Sequence, residues 1–307
     1  MNVNWRGVIP AITTPFNTDG SIDHEFFAAH CRWLVDAGCI GIVPLGSLGE
    51  GATLGLGEKT ALLETALGAV GDRVPIIPGI AALATAEAVQ LAQTAAELGC
   101  SGLMVLPPYV YSTDWREMQA HIDAVIAATN LPAMLYNNPP AYRTDFVAEQ
   151  IAIFAADHPN LQAVKESSTD IRRVTAIRAL LGDRLEILMG VDDAIVEGVQ
   201  AGVVGWIAGL VNAFPHESVE LFNLATQAAA GTGDRARLAA LYHWFLPLLR
   251  LDTGPKFVQL IKLTQEMVGM GSARVRPPRL ELVDAELAHA QQIITHALAA
   301  RDSLGNG

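Results

Sequence analysis

Short apolar runs alternate along the chain with longer stretches whose apolar residues recur every three or four positions. The runs lack the polar–apolar alternation of a half-exposed strand, so they predict parallel strands covered on both faces. Their centres lie roughly 20–35 residues apart, which leaves room for a crossover helix in each interval. The predicted strands are Gly7–Thr13, Cys39–Pro44, Val74–Ile80, Gly102–Leu106, Ala133–Tyr136, Leu161–Lys165, Leu185–Gly190 and Gly205–Ala208.

The stretches between the runs carry the start and stop signals of helices. Asp23 can cap a helix with an apolar stripe from Phe27 to Val35, and Gly38 can end it. Eight strand–helix units in series predict an α/β protein, a closed (β/α)8 TIM barrel. A doubly wound open sheet is the alternative, but no predicted strand is followed by a glycine fingerprint of the GxGxxG or GxxxxGK type.

The barrel would be complete by about residue 225, so we expect residues 1–225 to form the barrel and residues 226–307 a C-terminal helical extension. The extension contains three helical patterns, Asp234–Leu251, Pro255–Val268 and Asp284–Arg301. No linker rich in Gly, Ser or Pro separates the two parts. We therefore expect the extension to pack against the barrel as part of one folding unit.

Composition narrows the classes of function. The 307 residues include 20 basic and 32 acidic side chains, for a net charge of −12. Such a charge disfavours nucleic acid and anionic membranes as partners. Three cysteines without a CxxC pair predict buried thiols rather than disulfides or a metal site. With no targeting signal and no apolar stretch long enough to span a membrane, a cytoplasmic protein is expected.

Lys165 is the most unusual residue at a predicted strand end. In a barrel of this kind, reactive groups lie at the carboxyl ends of strands and in the loops that follow. Burying an ammonium group is costly, and a desolvated neutral amine attacks carbonyl carbons to form a Schiff base. The alternative is a lysine that reaches solvent or pairs with Glu166. The other lysines, Lys59, Lys256 and Lys262, lie in ordinary helical contexts.

Three further features follow predicted strands. Tyr136 ends the fifth strand, where a phenol can transfer protons or simply pack in the core. The loop Gly46–Glu50 combines two glycines with the Ser47 hydroxyl, and its backbone N–H groups can hold a carboxylate. Arg143 follows Tyr136 and can either bind a carboxylate or remain in solvent.

In combination, these segments resemble the dihydrodipicolinate synthase / N-acetylneuraminate lyase family of class I, Schiff-base-forming barrel enzymes. The resemblance covers nearly the whole chain, and its motifs occur in the right order at strand ends. They are Gly7–Phe16, Gly46–Glu50, Tyr136–Pro139, Val164–Ser167 and Gly205–Ile207, with Asn212 and Pro215. The resemblance also implies a homotetramer that needs no metal or organic cofactor.

By this resemblance, Lys165 is the Schiff-base lysine, Tyr136 the proton-relay tyrosine and Ser47 the hydroxyl of the relay. The substrate would be a small 2-oxo acid or a related imine acid, with its carboxylate held by the Gly46–Glu50 loop. The implied substrate-binding residues are Leu48, Gly49, Arg143, Gly190 and Ile207.

Three departures separate the chain from the dihydrodipicolinate synthases themselves. Leu48 stands where those enzymes have a second hydroxyl residue. Val110 stands where they have a tyrosine that reaches into a neighbouring subunit's site. Arg143 follows Tyr136 by seven positions instead of five. These departures favour a different substrate.

Within the family, the chain is most similar to the branch that includes the 1-pyrroline-4-hydroxy-2-carboxylate deaminases of hydroxyproline degradation. The similar segments are Gly46–Gly51, Tyr136–Arg143, Gly190–Asp193, Trp244–Leu249 and Arg276–Leu280. In the implied reaction, Lys165 attacks C2 of the cyclic imine and opens the ring. Loss of a C3 proton, assisted by Tyr136, gives an enamine that expels the C4 hydroxyl, and hydrolysis releases ammonia and 2,5-dioxopentanoate.

Other functions remain open at this point. An aldolase or dehydratase for a 2-keto-3-deoxy sugar acid, or a divergent 4-hydroxy-tetrahydrodipicolinate synthase, would use the same lysine. A third possibility is a barrel that only binds small carboxylates, but a pure binder has no need of a buried amine.

Overall fold

Seven short parallel strands form one sheet at the centre of the computed structural model, which describes residues 3–108 and 114–301. The order across the sheet is β1-β7-β6-β5-β4-β3-β2, so strands that follow each other in sequence from β2 onward are neighbours. This arrangement confirms the predicted α/β class. The strands are β1 (Val8–Pro10), β2 (Gly79–Ile80), β3 (Leu103–Val105), β4 (Ala133–Asn137), β5 (Leu161–Glu166), β6 (Glu186–Met189) and β7 (Gly205–Ala208).

Helices follow the strands, as the apolar periodicity predicts. The first begins at the predicted cap, where the Asp23 carboxylate accepts a hydrogen bond from the Phe26 N–H. The helices are α1 (His24–Asp36), α2 (Leu56–Val70), α3 (Thr85–Glu97), α4 (Trp115–Ala127), α5 (Pro139–Tyr142), α6 (Ala148–Asp157), α7 (Arg172–Leu181), α8 (Ile195–Gln200), α9 (Pro215–Ala229), α10 (Arg235–Leu249), α11 (Phe257–Met267) and α12 (Asp284–Ala300). Short 3₁₀ turns cover Gly51–Thr53, Asp192–Ala194, Leu210–Asn212 and Arg250–Asp252.

The second predicted strand is wrong in one respect. Cys39–Pro44 forms isolated parallel bridges rather than a continuous strand: Val43 bridges to Ala11, and Ile42 bridges to Ile76. The same segment donates from the Val43 N–H to Pro10 O and accepts from the Ile77 N–H. Prolines interrupt the ladder, because a proline has no N–H to donate. For the same reason β2 is only two residues long, after Pro75 and Pro78.

The C-terminal helices pack onto the units before them. An aromatic cluster joins α9 to α10, with the Phe214 ring edge-on to the rings of Trp244 and Phe245. The Trp244 indole N–H donates to the Ala297 carbonyl in α12. In α11, Gln265 accepts a hydrogen bond from the Thr13 hydroxyl just beyond β1. The extension therefore reaches the carboxyl-end side of the sheet, where the reactive groups are expected.

The three cysteines are buried and free, as predicted. Burial raises the pKa of the Cys31, Cys39 and Cys100 thiols to about 12, which suppresses the reactive thiolate. Within residues 3–108 and 114–301, no helix is both long and apolar enough to cross a bilayer.

Asn212 and His30 tie helix α1 to the ends of β1 and β7. The Asn212 amide donates to the carbonyls of Ala11 and Gly209. His30, which is fully buried, contacts the Asn212 carbonyl through Nε2 at 3.1 Å, as a neutral imidazole does when its N–H donates. Burial lowers the pKa of His30 to about 4.

His30 should make the folded state sensitive to acid. The folded-state pKa of about 4 lies below the ordinary 6.5, so between these values the unfolded chain binds a proton that the folded chain does not. Stability is therefore lost as the pH falls from 6.5 to 4, by about 3 kcal/mol for this shift. Urea denaturation between pH 6.5 and pH 4 should show that the free energy of unfolding falls more steeply for the native protein than for His30→Gln. The glutamine keeps a donor but does not titrate, so parallel curves would contradict this assignment.

Candidate active site

Lys165 lies near the carboxyl end of β5, and its side chain is buried. Only 6% of the residue is exposed, and its Nζ lies 4.1 Å from the centre of the Tyr136 ring. The contact follows from strand register, because Tyr136 of β4 pairs directly with Lys165 of β5. Residues paired in this way project to the same face of a sheet.

The neighbouring Glu166 is not the partner of Lys165. Successive strand residues project to opposite faces, and the Glu166 carboxylate accepts instead from the Ser168 N–H at 2.6 Å and the Asn137 amide at 3.1 Å. Burial raises the pKa of Glu166 despite these bonds. Lys165 makes no ion pair with any residue that the structure describes. The structure therefore rules out both the solvent-reaching lysine and the Glu166 pair.

Asn138 fixes the hydroxyl of Tyr136. The Asn138 carbonyl oxygen accepts from the Ala141 N–H at the start of α5, which directs its NH₂ group toward Tyr136. That NH₂ donates to the Tyr136 oxygen at 2.7 Å. Because the oxygen serves as the acceptor in this bond, the phenolic proton of Tyr136 is left to be donated elsewhere.

Ser47 is joined to Tyr142 by a hydrogen bond between their hydroxyl groups. The Tyr142 ring lies edge-on to the Tyr136 ring, with 5.8 Å between centres. In this structure Ser47 and Tyr136 thus belong to one cluster through Tyr142, rather than through a direct contact. Ser47 and Tyr142 are half-buried, whereas Tyr136 and Lys165 are buried.

The loop that carries Ser47 is tightly folded. Leu45 and Glu50 take left-handed backbone conformations, and the Gly51 N–H donates back to the Gly46 carbonyl. A Cβ at Gly51 would lie 2.1 Å from the Leu45 oxygen, so this position accepts only glycine. Leu48 and Gly49 are both buried, and the Gly49 carbonyl accepts from the Thr14 hydroxyl.

A buried ion pair holds this loop against the C-terminal extension. The Lys262 ammonium in α11 donates to Glu50 at 2.6 Å and to the Arg274 carbonyl at 2.7 Å. The second carboxylate oxygen of Glu50 accepts from the Arg276 N–H. Burial lowers the pKa of Lys262, and the charge of Glu50 opposes this shift. Lys262 is 2% exposed, so the expectation of an ordinary helical lysine is wrong.

Gly190, at the end of β6, makes room for Lys165. A Cβ at this position would lie 2.5 Å from Lys165 Cε and 2.0 Å from Ser167 Oγ. Any side chain larger than hydrogen would therefore press on both Ser167 and Lys165.

Two acidic groups complete the surroundings of Lys165. The Asp192 carboxylate accepts from the Trp206 indole and from the N–H groups of Gly209 and Leu210, yet burial raises its pKa to about 6. Asp252 packs against Gly209, and burial together with the charge of Asp192 raises its pKa. The positive charge of Lys165 opposes both shifts.

The remaining residues expected at the site are less tightly grouped. Ile207 is buried on β7. Lys165 of β5 pairs with Leu188 of β6, which in turn pairs with Gly205 of β7. Ile207 lies two residues after Gly205. Alternation therefore places Ile207 on the same face as the lysine. Arg143 is exposed at the end of α5, and its side chain makes no ion pair within the described residues. Val110 lies outside those residues.

No metal-binding group is present in the described part of the chain. Across residues 3–108 and 114–301, His, Cys, Asp and Glu side chains do not gather in threes in a way that could hold an ion.

Sequence reasoning missed Asn138, Tyr142 and Lys262. Asn138 precedes two prolines, a helix-start signal that could have located α5. Lys262 lies four positions after Val258 and three before Gln265, both buried, so helical spacing could have placed it on the buried face. Tyr142 had no comparable signal, because its contact with Ser47 joins residues 95 positions apart.

Breaking the Glu50–Lys262 pair should destabilise the fold. In Lys262→Met the Glu50 carboxylate, whose side chain is fully buried, loses its nearer counter-charge at 2.6 Å and keeps only the Arg279 guanidinium at 3.9 Å. Removing one partner of such a pair typically costs about 3–5 kcal/mol. Urea denaturation of the variant should show a loss of this size. The double variant Glu50→Gln/Lys262→Met should recover part of it, because neither charge is then left buried alone.

Arg172→Ala is the matched control. It removes a well-formed ion pair with Asp170, but Arg172 is 87% exposed, so solvent screens the interaction and little stability should be lost. An equal effect of the two single substitutions would contradict a special role for the buried pair.

Known proteins resemble this chain over almost its full length. A sequence model described as the dihydrodipicolinate synthetase family matches residues 4–297. The 4-hydroxy-tetrahydrodipicolinate synthase of Agrobacterium fabrum is 32% identical over 294 residues, or 93% of this chain and 98% of that enzyme. The enzyme of the same name from Haloarcula marismortui is 32% identical over 296 residues, or 95% and 94% of the two chains.

Solved structures show the same similarity. The dihydrodipicolinate synthase of Aquifex aeolicus superposes with a TM-score of 0.88 at 26% identity, covering 95% of this chain and 98% of that one. A prophage protein of the dihydrodipicolinic acid synthase family from E. coli K12, solved in complex with pyruvate, superposes with a TM-score of 0.87 at 26% identity and the same coverage. The chain therefore belongs to the dihydrodipicolinate synthetase family of Schiff-base-forming lyases.

Proposed function

We propose that this protein is a closed (β/α)8 barrel enzyme that forms a Schiff base between Lys165 and a small 2-oxo acid or cyclic imine acid. Its reaction, in this proposal, is the deamination of 1-pyrroline-4-hydroxy-2-carboxylate. One observation carries the chemistry: the Lys165 amine is buried, lies against the Tyr136 ring and has no ion-pair partner among the described residues. An amine in such a place serves as a nucleophile rather than as a structural charge.

Closure of the barrel is supported by backbone hydrogen bonds on both sides of residues 40–44. The Val43 N–H donates to β1 at Pro10, and the Ile42 carbonyl accepts from Ile77, which precedes β2. This segment thus occupies the place between β1 and β2 where an eighth strand belongs. Residues 1–225 would form the barrel, and residues 226–307 the extension packed on it.

Lys165 and Tyr136 supply the first chemical step. The lysine nitrogen adds to C2 of the cyclic imine, and the bond from C2 to the ring nitrogen breaks. The ring opens to a lysine-bound imine at C2 with a free amine on C5. The Tyr136 phenol, held by Asn138 with its proton available, lies beside the lysine to transfer protons in this exchange.

The later steps balance without an oxidant. Loss of a C3 proton gives an enamine, whose electron pair expels the C4 hydroxyl as water. Proton shifts from C5 and its nitrogen to C3 and C4 turn the C5 amine into an imine. Hydrolysis of both imines releases ammonia, 2,5-dioxopentanoate and free Lys165. One water is lost and two are added, so the reaction consumes one water.

The proposed substrate-binding residues are Leu48, Gly49, Arg143, Gly190 and Ile207. The buried Gly46–Glu50 loop would hold the substrate carboxylate with its N–H groups. Family resemblance further suggests a cytoplasmic homotetramer.

A second candidate is a divergent 4-hydroxy-tetrahydrodipicolinate synthase, because relatives of that name are about 32% identical over almost the full chain. Leu48, in place of a second hydroxyl residue beside Ser47, favours the deaminase. An aldolase for 2-keto-3-deoxy sugar acids would use the same lysine but release pyruvate.

Borohydride reduction in the presence of substrate should trap the substrate on Lys165. The substrate can be made from cis-4-hydroxy-D-proline with an amine oxidase. Peptide mass spectrometry should locate the adduct on Lys165, and Lys165→Ala should lose both adduct and turnover. Lys59→Ala is the control, since this lysine lies on helix α2. An adduct on another lysine, or turnover by Lys165→Ala, would exclude the mechanism.

The products of the same incubation identify the reaction. Ammonia with 2,5-dioxopentanoate supports the deaminase. Turnover of pyruvate with aspartate semialdehyde, without ammonia release from the imine acid, would replace the deaminase by the synthase. Pyruvate released from a 2-keto-3-deoxy sugar acid would indicate the aldolase.

Gly190→Ala should impair the same step through the position of Lys165. The added Cβ would overlap Lys165 Cε, and a displacement of about 1 Å at a reacting group can cost roughly 100-fold in rate. We expect a loss of this size in adduct formation, measured by timed borohydride quenching. Gly68→Ala in α2 is the control, because a Cβ there meets nothing within 4 Å. A wild-type trapping rate in Gly190→Ala would show that the glycine is not needed for the lysine's position.

A further inference from the structure

We propose that Tyr142 is a proton-relay residue of the Lys165 site, acting with Ser47 to carry protons between the buried centre and solvent. The proposal rests on the Schiff-base function proposed above and adds a residue that sequence reasoning did not identify. In this relay, all the hydroxyl groups come from one chain.

The position of Tyr142 is fixed by a short, well-capped helix. Asn138 caps α5 through its carbonyl oxygen, and Pro139 and Pro140 occupy the first helical positions. The Tyr142 N–H donates to the Asn138 backbone carbonyl at 3.0 Å. Arg143 then takes a left-handed conformation, which ends the helix immediately after Tyr142.

The same cap joins Tyr142 to the reacting lysine. Asn138 holds the start of α5 and also donates to the Tyr136 hydroxyl at 2.7 Å. Tyr136 lies below the Lys165 amine, and its ring meets the edge of the Tyr142 ring. A single asparagine therefore sets the relative positions of two phenols beside one amine.

The hydroxyl of Tyr142 is hydrogen-bonded to the hydroxyl of Ser47. A serine–tyrosine pair can pass a proton in either direction, because each hydroxyl is both donor and acceptor. Tyr136 and Lys165 are 4% and 6% exposed, whereas Ser47 and Tyr142 are only half-buried. The pair is therefore more accessible to solvent than the buried amine, as the outer end of a relay must be.

The reaction needs such a relay. Exchange of the ring nitrogen for the Lys165 nitrogen moves protons from one nitrogen to the other, and the enamine step removes a proton from C3, so protons must move at a centre whose lysine and tyrosine are buried. Lys165 has no acidic or basic partner in contact among the described residues that could do this instead. Asp192 is occupied by three donors, and Glu166 faces away from the lysine.

Tyr142→Phe tests the relay, because it removes the hydroxyl and keeps the ring. Pyruvate serves as the probe, and exchange of its methyl protons in D₂O, followed by NMR, reports proton removal at C3. We expect exchange to fall by about 100-fold or more, the usual contribution of a proton-transfer group. The equilibrium amount of borohydride-trapped adduct should stay near the wild-type level.

Ser47→Ala should produce the same selective loss. The double variant Ser47→Ala/Tyr142→Phe should lose no more exchange than either single variant, since both substitutions break one pathway. Tyr242→Phe is the matched control, because it removes a phenol bonded to the Asp193 carbonyl outside the relay and should leave exchange unchanged.

The outcomes separate the two proposals. No adduct in the wild-type protein would overturn the Schiff-base function and the relay with it. A wild-type adduct with unchanged exchange in Tyr142→Phe would overturn the relay alone. Loss of adduct and exchange in equal measure would also overturn it, because Tyr142 would then only support the shape of the site.

Discussion

The Glu50–Lys262 ion pair is the constraint on which the candidate site most depends. Both charges are almost completely removed from water, and at 2.6 Å each is the nearest opposite charge to the other, so loss of either leaves a poorly compensated buried charge. Glu50 belongs to the loop that carries Ser47, and Lys262 belongs to a helix that follows the sheet by some 50 residues. The pair therefore makes the geometry of the loop conditional on correct packing of the C-terminal extension. A fold that lacked these C-terminal residues would leave the Glu50 carboxylate buried and unpaired.

Two buried lysines in one protein illustrate how surroundings decide the role of a side chain. Lys262 has a carboxylate at 2.6 Å and a carbonyl at 2.7 Å, so its ammonium is satisfied and static. Lys165 has an aromatic face at 4.1 Å and no ion-pair partner within the described residues. Sequence position alone does not distinguish a reactive buried lysine from a structural one. The difference lies in which groups the fold brings near each amine.

Local chemistry in the sequence predicted much of the fold. Continuous apolar runs located the strands, and capping and stop residues located helices such as α1, because these signals act within a few positions. The same logic failed at Cys39–Pro44. Whether that run becomes a strand depends on the donors of its neighbours, and the neighbouring segment contains Pro75 and Pro78. The apolar character of two distant segments does not show whether their backbones pair as strands.

The sequence by itself placed Lys165 near the carboxyl end of a strand, because the lysine follows a continuous apolar run in a repeating strand–helix pattern. It also determined the family, through motifs whose order and spacing are written in the chain. Only the tertiary structure decided that Ser47 meets Tyr142 and that Lys262 is buried on Glu50. Each of these depends on contacts between residues far apart in sequence, whose distances are set by how helices and loops pack against the sheet rather than by any local preference.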